Sequence, residues 1–256
     1  MTHRKKTETN WKQIIFSILA YSTVITLIWV AFKWSDFTGS LRLNNIIFSN
    51  TNLDKEIYSG SLDDFLGEKL DQIRLRDISD LLEEHPYVKA ARVSHRFPGT
   101  LMVEIVEREP IAILNIEPMV MLDEECVVLP DMNNLGYAGL PVLSNLNREQ
   151  ELYPAGKRAL SVKVTESINW LSRLQIEYES LYNNLSEMKL TSANEMELIL
   201  TEEPTTIYLG EENIWSRIEI LREFERKLDN NAKKISDFDY LDMRFDKQII
   251  VRARHS

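Results

Sequence analysis

The longest uncharged and mostly apolar run in this chain lies near its N-terminus. From Ile14 to Phe32 (IIFSILAYSTVITLIWVAF), nineteen residues pass without an Asp, Glu, Lys or Arg. As a helix this run is roughly 28 Å long at ~1.5 Å per residue, close to the ~30 Å hydrocarbon core of a bilayer. Helix is the form expected, because backbone polar groups in lipid must bond to one another. Trp11, Trp29 and Trp34 fall near the ends of the run, where indole rings favour the membrane interface. A signal peptide has a shorter apolar core and a small-x-small cleavage site, and Val30-Ala31-Phe32-Lys33-Trp34 is a poor one. A buried core helix seldom stays uncharged all the way round. The reading is an uncleaved transmembrane anchor over 14–32, with a tail over 1–13 and a linker over 33–40.

Beyond the anchor the pattern alternates between the two periods of secondary structure. Leu43–Phe48 predicts a strand, followed by a polar, turn-rich stretch from Asn50 to Gly60. Leu62, Phe65, Leu66 and Leu70 fit a helical stripe that Gly67 weakens. Leu75, Ile78, Leu81 and Leu82 mark a second helix, which should stop before Pro86 because the residue preceding proline is pushed out of the α region. Val88–His95 and Leu101–Glu107 read as strands joined through Pro98-Gly99. In the second of these, Leu101, Val103 and Ile105 share one face. The order β-α-α-β-β predicts a small sheet with helices on one face.

A second unit starts after Pro110. Ile111–Asn115, Val120–Leu122 and Cys126–Leu129 are expected strands, and residues 130–160 read mainly as loop. Val164, Ile168, Leu171, Leu174, Tyr178, Leu181 and Leu185 predict one long helix. Met196–Leu200 and Thr206–Leu209 have strand character. Ile214, Ile218, Leu221, Phe224 and Leu228 give a second amphipathic helix. Tyr240–Phe245, a turn at Asp246-Lys247, and Gln248–Arg254 close the chain. The fold class is therefore α+β, with a β-rich second domain carrying two amphipathic helices.

Charge adds a direction. The net charge is −10. Residues 1–13 carry Arg4, Lys5, Lys6 and Lys12 against Glu8, which is +3, so everything beyond the uncharged run sums to −13. Basic residues before a span favour a cytoplasmic N-terminus. The acidic body is a poor match to nucleic acid. Cys126 is the only cysteine, so no internal disulfide or cysteine-rich metal site can form.

Chemistry is sparse. There is no phosphate-binding loop, zinc-protease helix or nucleophile elbow. Of the four histidines, His3 lies before the span and His255 near the end. His85 sits at a helix end, where it complements the dipole, and with His95 it matches no usual ligand spacing. Asp63-Asp64 and Glu83-Glu84 read as solvated helix faces, Glu107 and Glu109 as a solvated strand face, and Cys126 as a packed thiol. We expect no catalytic residue, no metal and no cofactor.

The stretch His85–Ala112, HPYVKAARVSHRFPGTLMVEIVEREPIA, resembles the signature block of the FtsQ/DivIB family of bacterial cell-division proteins. Pro86, Tyr87, Val88, Ala91, Val93, Arg96, Phe97, Pro98, Thr100, Leu101, Val103, Ile105, Glu107, Arg108, Pro110 and Ala112 carry the match. Upstream, Leu70, Ile73, Ile78 and Leu82 have the family's spacing. Leu122-Asp123 with Val127 resembles its Leu-Asp-x-x-Gly-x-Val hairpin, and Tyr240–Phe245 its Tyr-Val-Asp-Leu-Arg-Tyr strand. Two positions depart. Cys126 stands where the family usually has Gly, and Asn194-Glu195 stand where relatives can place a partner-contacting basic residue.

The resemblance implies a POTRA domain over 41–110 and a C-terminal β domain over 111–256. It implies a non-enzymatic scaffold of the divisome in the inner membrane, with its body in the periplasm, acting at the septum. The implied partners are membrane-anchored coiled-coil proteins of the FtsB and FtsL type. The last strand has no following strand to cover it, and an edge offers unpaired backbone groups to an incoming segment. Gln248, Ile250 and Arg252 would share one face, with Ile249, Val251 and Ala253 on the other. Expected contact residues are Tyr240, Arg244, Phe245, Ile249, Ile250, Val251 and Arg252, with core packing as the alternative for Phe245 and Ile250. Two other readings remain at this point: a POTRA component of outer-membrane assembly or secretion, and a membrane-anchored periplasmic hydrolase.

Overall fold

The computed structural model describes residues 11–37, 42–130, 139–246 and 248–254. His3, His255, most of the N-terminal tail, Lys247 of the expected turn, and parts of the expected linker and loop lie outside these described residues.

Helix α1 spans Trp11–Phe37. Its apolar stretch Ile14–Trp34 is long enough to cross a bilayer, and none of it is buried against the protein. Side chains such as Phe16, Leu19, Ile25 and Trp29 are each more than 60% exposed. In water that much apolar surface is unfavourable at about 25 cal/mol per Å². The helix continues five residues past the expected span, so 33–37 is helix and not linker. Lys33-Trp34-Ser35-Asp36-Phe37 contains neither Gly nor Pro to break it. The full chain is expected to stay with the membrane after an alkaline carbonate wash; release into the supernatant would refute the anchor.

The described residues fall into two compact units: those of Met1–Leu82 with Ala90–Val106, and those of Glu83–Lys89 with Glu107–Ser256. The first unit contains β1 (Asn45–Ser49), a short helix α2 (Glu56–Ser59) and α3 (Leu75–Glu83). The strands β2 (Val88–Arg96) and β3 (Thr100–Glu107) follow. The sheet order is β1-β3-β2, and β1 runs parallel to β3, with Asn45 opposite Thr100. The alternation in β3 holds: Leu101, Val103 and Ile105 are at most 1% exposed, while Val106 faces out. Tyr58, Leu62, Ile78 and Leu82 are buried with them in this unit's core.

The stripe Leu62–Leu70 does not form the expected helix. After α2 a single 3₁₀ stretch runs Gly60–Phe65, and Leu66 is already extended. Gly67 takes φ +89°, a left-handed value that ends a helix at little cost. Its N–H then donates to the Leu43 carbonyl at 2.8 Å, and the Leu43 N–H donates to Glu68 O at 2.8 Å. This segment thereby pairs with the chain that enters the sheet.

The second unit is built on an open nine-stranded sheet. Its strands are β4 (Pro110–Leu114), β5 (Val120–Asp123), β6 (Val128–Pro130), β7 (Val142–Ser144) and β8 (Leu185–Leu190). They continue with β9 (Met196–Leu200), β10 (Thr206–Gly210), β11 (Phe238–Asp242) and β12 (Ile250–Ala253). The order is β12-β11-β10-β9-β8-β7-β4-β5-β6. Helices α4 (Val162–Glu177), α5 (Glu179–Asn183) and α6 (Ile214–Asp229) contribute Ile168, Leu171, Leu174, Leu181, Ile218 and Leu221 to one buried cluster with Leu122, Leu143, Leu198, Ile207 and Leu241.

A segment expected to be mainly loop also carries a strand here, and one helix expectation fails. The 130–160 segment holds β7, which joins the two halves of the sheet by pairing parallel to β4 and to β8. The long helix breaks at Tyr178, whose φ of −147° leaves the helical region, and Leu185 starts β8 instead. Tyr178 is held at the break by its buried hydroxyl, which donates to the Glu225 carboxylate on α6.

Candidate partner-binding edge

Two strands end the nine-stranded sheet, and they differ. At the β6 end, the Val128 N–H donates to Lys157 O at 2.9 Å and Val128 O accepts from Gly156 N at 2.8 Å. The Tyr87 hydroxyl donates to Pro130 O at 2.8 Å. That edge is covered by the chain's own backbone and side chains. At the β12 end all four residues are exposed, and among the described residues no strand lies outside them.

The parallel pairing of β10 with β11 and the antiparallel pairing of β11 with β12 set the geometry of this edge. Tyr240 lies opposite Arg252, Leu241 opposite Val251 and Asp242 opposite Ile250. Arg254 N–H donates inward to Asp237 O at 2.9 Å. In an antiparallel ladder successive residues turn their N–H and C=O alternately inward and outward. Counting back from Arg254, Arg252 and Ile250 bond inward to β11, while Ala253 and Val251 present their backbone groups outward.

The expected contact residues sort into three groups. Ile250 and Val251 are 41% and 39% exposed on the edge strand, and Phe245 is 48% exposed just before it. Ile249 is half-buried and packs against the core cluster. Tyr240 is half-buried on β11, edge-on to Tyr208 at 5.9 Å between ring centroids. Arg252 reaches Asp239 at 3.6 Å.

Arg244 is the most constrained of the set. Its guanidinium makes two hydrogen bonds to Asp242, at 2.9 and 2.7 Å, and a third to Glu195 at 3.1 Å. It also lies over the Tyr208 ring at 5.2 Å. The hydrogen bonds to Arg244 hold the Asp242 carboxyl below its ordinary range. Glu195 is therefore, with Asp242, a counter-charge of Arg244. This pairing turns Arg244 from a free cation into a strut between β9 and β11.

Sequence reasoning missed the neighbour of Phe245. A cavity of about 250 Å³ lies between α6 and the end of β11, lined in part by Ile220, Met243, Phe245 and Gln248. Ile220 is 48% exposed. It stands off the stripe of Ile214, Ile218, Leu221 and Leu228 that buries α6. An isoleucine off the buried stripe was the available signal.

Cys126 lies at the far end of the sheet, in the β5–β6 hairpin. It has φ +63°, so the left-handed position usually filled by Gly is kept with a Cβ present, at a cost of order 1 kcal/mol. The thiol is 1% exposed and accepts from Thr165 Oγ1 of α4 at 3.7 Å. Burial pushes its pKa up. It should resist a thiol reagent in the native protein and react once denatured; rapid native labelling would show that the hairpin opens. Among the described residues no cluster of His, Cys, Asp and Glu could hold a metal ion.

The fold and its edges define a class: an α+β chain in which an apolar helix and a small POTRA-like domain precede a β-rich domain with an open edge. A family model described as "POTRA domain, FtsQ-type" matches residues 45–108. A second, "Cell division protein FtsQ/DivIB, C-terminal", matches residues 112–244. The chain belongs to the FtsQ/DivIB family of cell-division proteins. It is similar to the cell division protein FtsQ of Syntrophotalea carbinolica, with 21% identity over 250 residues, 94% of this chain and 87% of that one. It is similar to that of Geotalea daltonii, 24% identical over 187 residues, 73% of this chain and 66% of the relative. With FtsQ of Novosphingobium aromaticivorans the identity is 38% over 79 residues, 30% of this chain and 25% of the relative.

Proposed function

We propose that the protein is a non-enzymatic, single-pass scaffold of the divisome that recruits partners for septal cell-wall synthesis by strand addition to β12. The observation that carries this reading is the asymmetry of the sheet, covered at β6 and open at β12. An added strand would draw affinity from the outward backbone groups of Val251 and Ala253 and selectivity from side chains beside them. Tyr240, Arg244, Phe245, Ile249, Ile250, Val251 and Arg252 form the proposed contact set, with Ile220 added. The partners are FtsB- and FtsL-like anchored coiled-coil proteins, as the family resemblance implies. The basic tail supports a cytoplasmic N-terminus and, with it, folded units on the far side of the inner membrane; action at the septum is what the family resemblance implies. Tethering these units beside the bilayer raises the effective concentration of partners held in the same membrane.

The test is affinity capture from detergent-solubilised native membranes with the tagged full chain. Recovery of small coiled-coil division proteins supports the proposal. Capture of outer-membrane assembly components in their place, or of no division protein, overturns it.

A further inference from the structure

The parallel pairing of β1 with β3 has a topological consequence. It places the β2–β3 turn at the end of the sheet where the chain arrives from the anchor. Gly99 O accepts from Asn44 N at 2.7 Å and from Asn45 N at 3.2 Å. A Cβ on Gly99 would lie 2.7 Å from Arg42 O, so the turn is packed directly on the entering chain. The Gly67 segment meets the same place, through the Arg42–Lys69 bridge and the Arg42 Nη1 bond to Gly67 O at 2.9 Å.

What this end exposes is unlike the rest of an acidic protein. Phe97 at the tip of the turn is 74% exposed and Leu66 is 46% exposed. Arg42, Lys69 and Arg96 lie in the same segments, with Glu68 and Asp71 as the acidic residues nearest them in sequence. Arg42 lies five residue steps beyond Phe37, the end of α1, a span of at most roughly 17 Å at ~3.5 Å per residue. Three further residues of helix, about 4.5 Å, lead back to Trp34, where the apolar stretch ends. The turn is thus leashed within about 25 Å of the hydrocarbon boundary, next to a headgroup layer several ångströms thick.

We infer that the end of the first unit formed by Phe97, Leu66, Arg42, Lys69 and Arg96 docks on the bilayer surface that α1 leaves. Phe97 enters the interface, where an aromatic ring on a polar backbone is favoured, and the cations meet anionic headgroups. The chemistry is that of a weak amphipathic contact, sufficient because the leash makes it intramolecular. Docking would fix the orientation of the first unit on the membrane, which a single covalent tether does not. This inference rests on α1 being a membrane anchor and is independent of what binds β12.

The test uses the full chain in vesicles, one set containing phosphatidylglycerol and one of phosphatidylcholine alone. Buried Cys126 allows an environment-sensitive fluorophore to be placed on Phe97→Cys, with Asp54→Cys, beyond the opposite end of β1, as the control and unsubstituted protein as the blank. In phosphatidylglycerol vesicles the probe at 97 should be blue-shifted and quenched several-fold more than the probe at 54 by lipids carrying a nitroxide near the headgroup. Arg42→Gln with Arg96→Gln should remove most of that difference, as should phosphatidylcholine. With the probe moved to Leu66→Cys, Phe97→Asp should abolish its quenching, which excludes attraction of the dye itself. Equal quenching at 97 and 54, or quenching at 97 that neither the charge substitutions nor the lipid change alters, overturns the inference. Failure of the chain to float with vesicles refutes the anchor itself and the docking with it.

Discussion

Proline at Val251 is expected to reduce capture of the division partner at least tenfold while the protein still melts as the wild type does. The N–H of Val251 points away from β11, so removing it costs no bond within the protein. It does remove a donor from the row that an added strand would use. Val251→Ala, which keeps the N–H, should lose much less. Ile250→Pro is a different experiment. Ile250 lies opposite Asp242 with its backbone turned inward, so proline there breaks the β11–β12 ladder and lowers stability as well as capture. Capture and thermal melting measured on the three variants separate the cases. Wild-type capture by Val251→Pro would rule out strand addition at this edge and leave side chains such as Phe245 as the contact.

How much of this edge was legible beforehand depended on how local its causes are. The β-branched run Ile249–Val251 after the expected turn at Asp246-Lys247 marked a terminal strand, and the motif Tyr240–Phe245 located its neighbour. Which way each backbone group points was not legible, because it is set by the pairing with β11. The bounds also shifted: β11 begins at Phe238 and ends at Asp242, because Arg244 folds back onto Asp242. Elsewhere the same rule holds. Helix α1 and strand β3 could be read because one period, or its uniform absence, decides them. Strand β7 is three residues among Gly, Pro and Asn, and it exists because β4 and β8 lie on either side of it. Leu185 continued the helical spacing of Leu181, and only the buried break at Tyr178 sends it into a sheet. Side chains fixed by partners distant in sequence, such as Glu195 with Arg244, leave no periodic trace.

The largest stability loss is expected from Arg108→Ala, and the reason lies in the β5–β6 hairpin. Asp123 is 2% exposed. Its Oδ1 accepts from the backbone N–H groups of Glu125 and Val127, at 3.0 and 2.7 Å, which shapes the turn that carries Cys126. Its other oxygen receives Arg108 Nη1 at 2.6 Å, and the same nitrogen reaches Glu125 at 2.8 Å. Lys89 adds a second cation to Glu124 and Glu125. Removing the guanidinium leaves a buried carboxylate with two N–H partners and no counter-charge, a change that costs about 3 kcal/mol in comparable buried pairs. For a unit of this size that lowers the melting temperature by about 6–12 °C. Exposed pairs behave differently: Arg74 with Asp77 is 82% and 46% exposed, and Arg74→Ala should cost under about 1 kcal/mol. Asp123→Asn in the Arg108→Ala background should recover part of the loss, since the amide oxygen still accepts the two N–H groups while the unpaired charge is gone. Calorimetric melting of the four proteins of that cycle measures the coupling. A fall of less than about 2 °C for Arg108→Ala would mean that water reaches Asp123 and that the hairpin is held by its backbone alone.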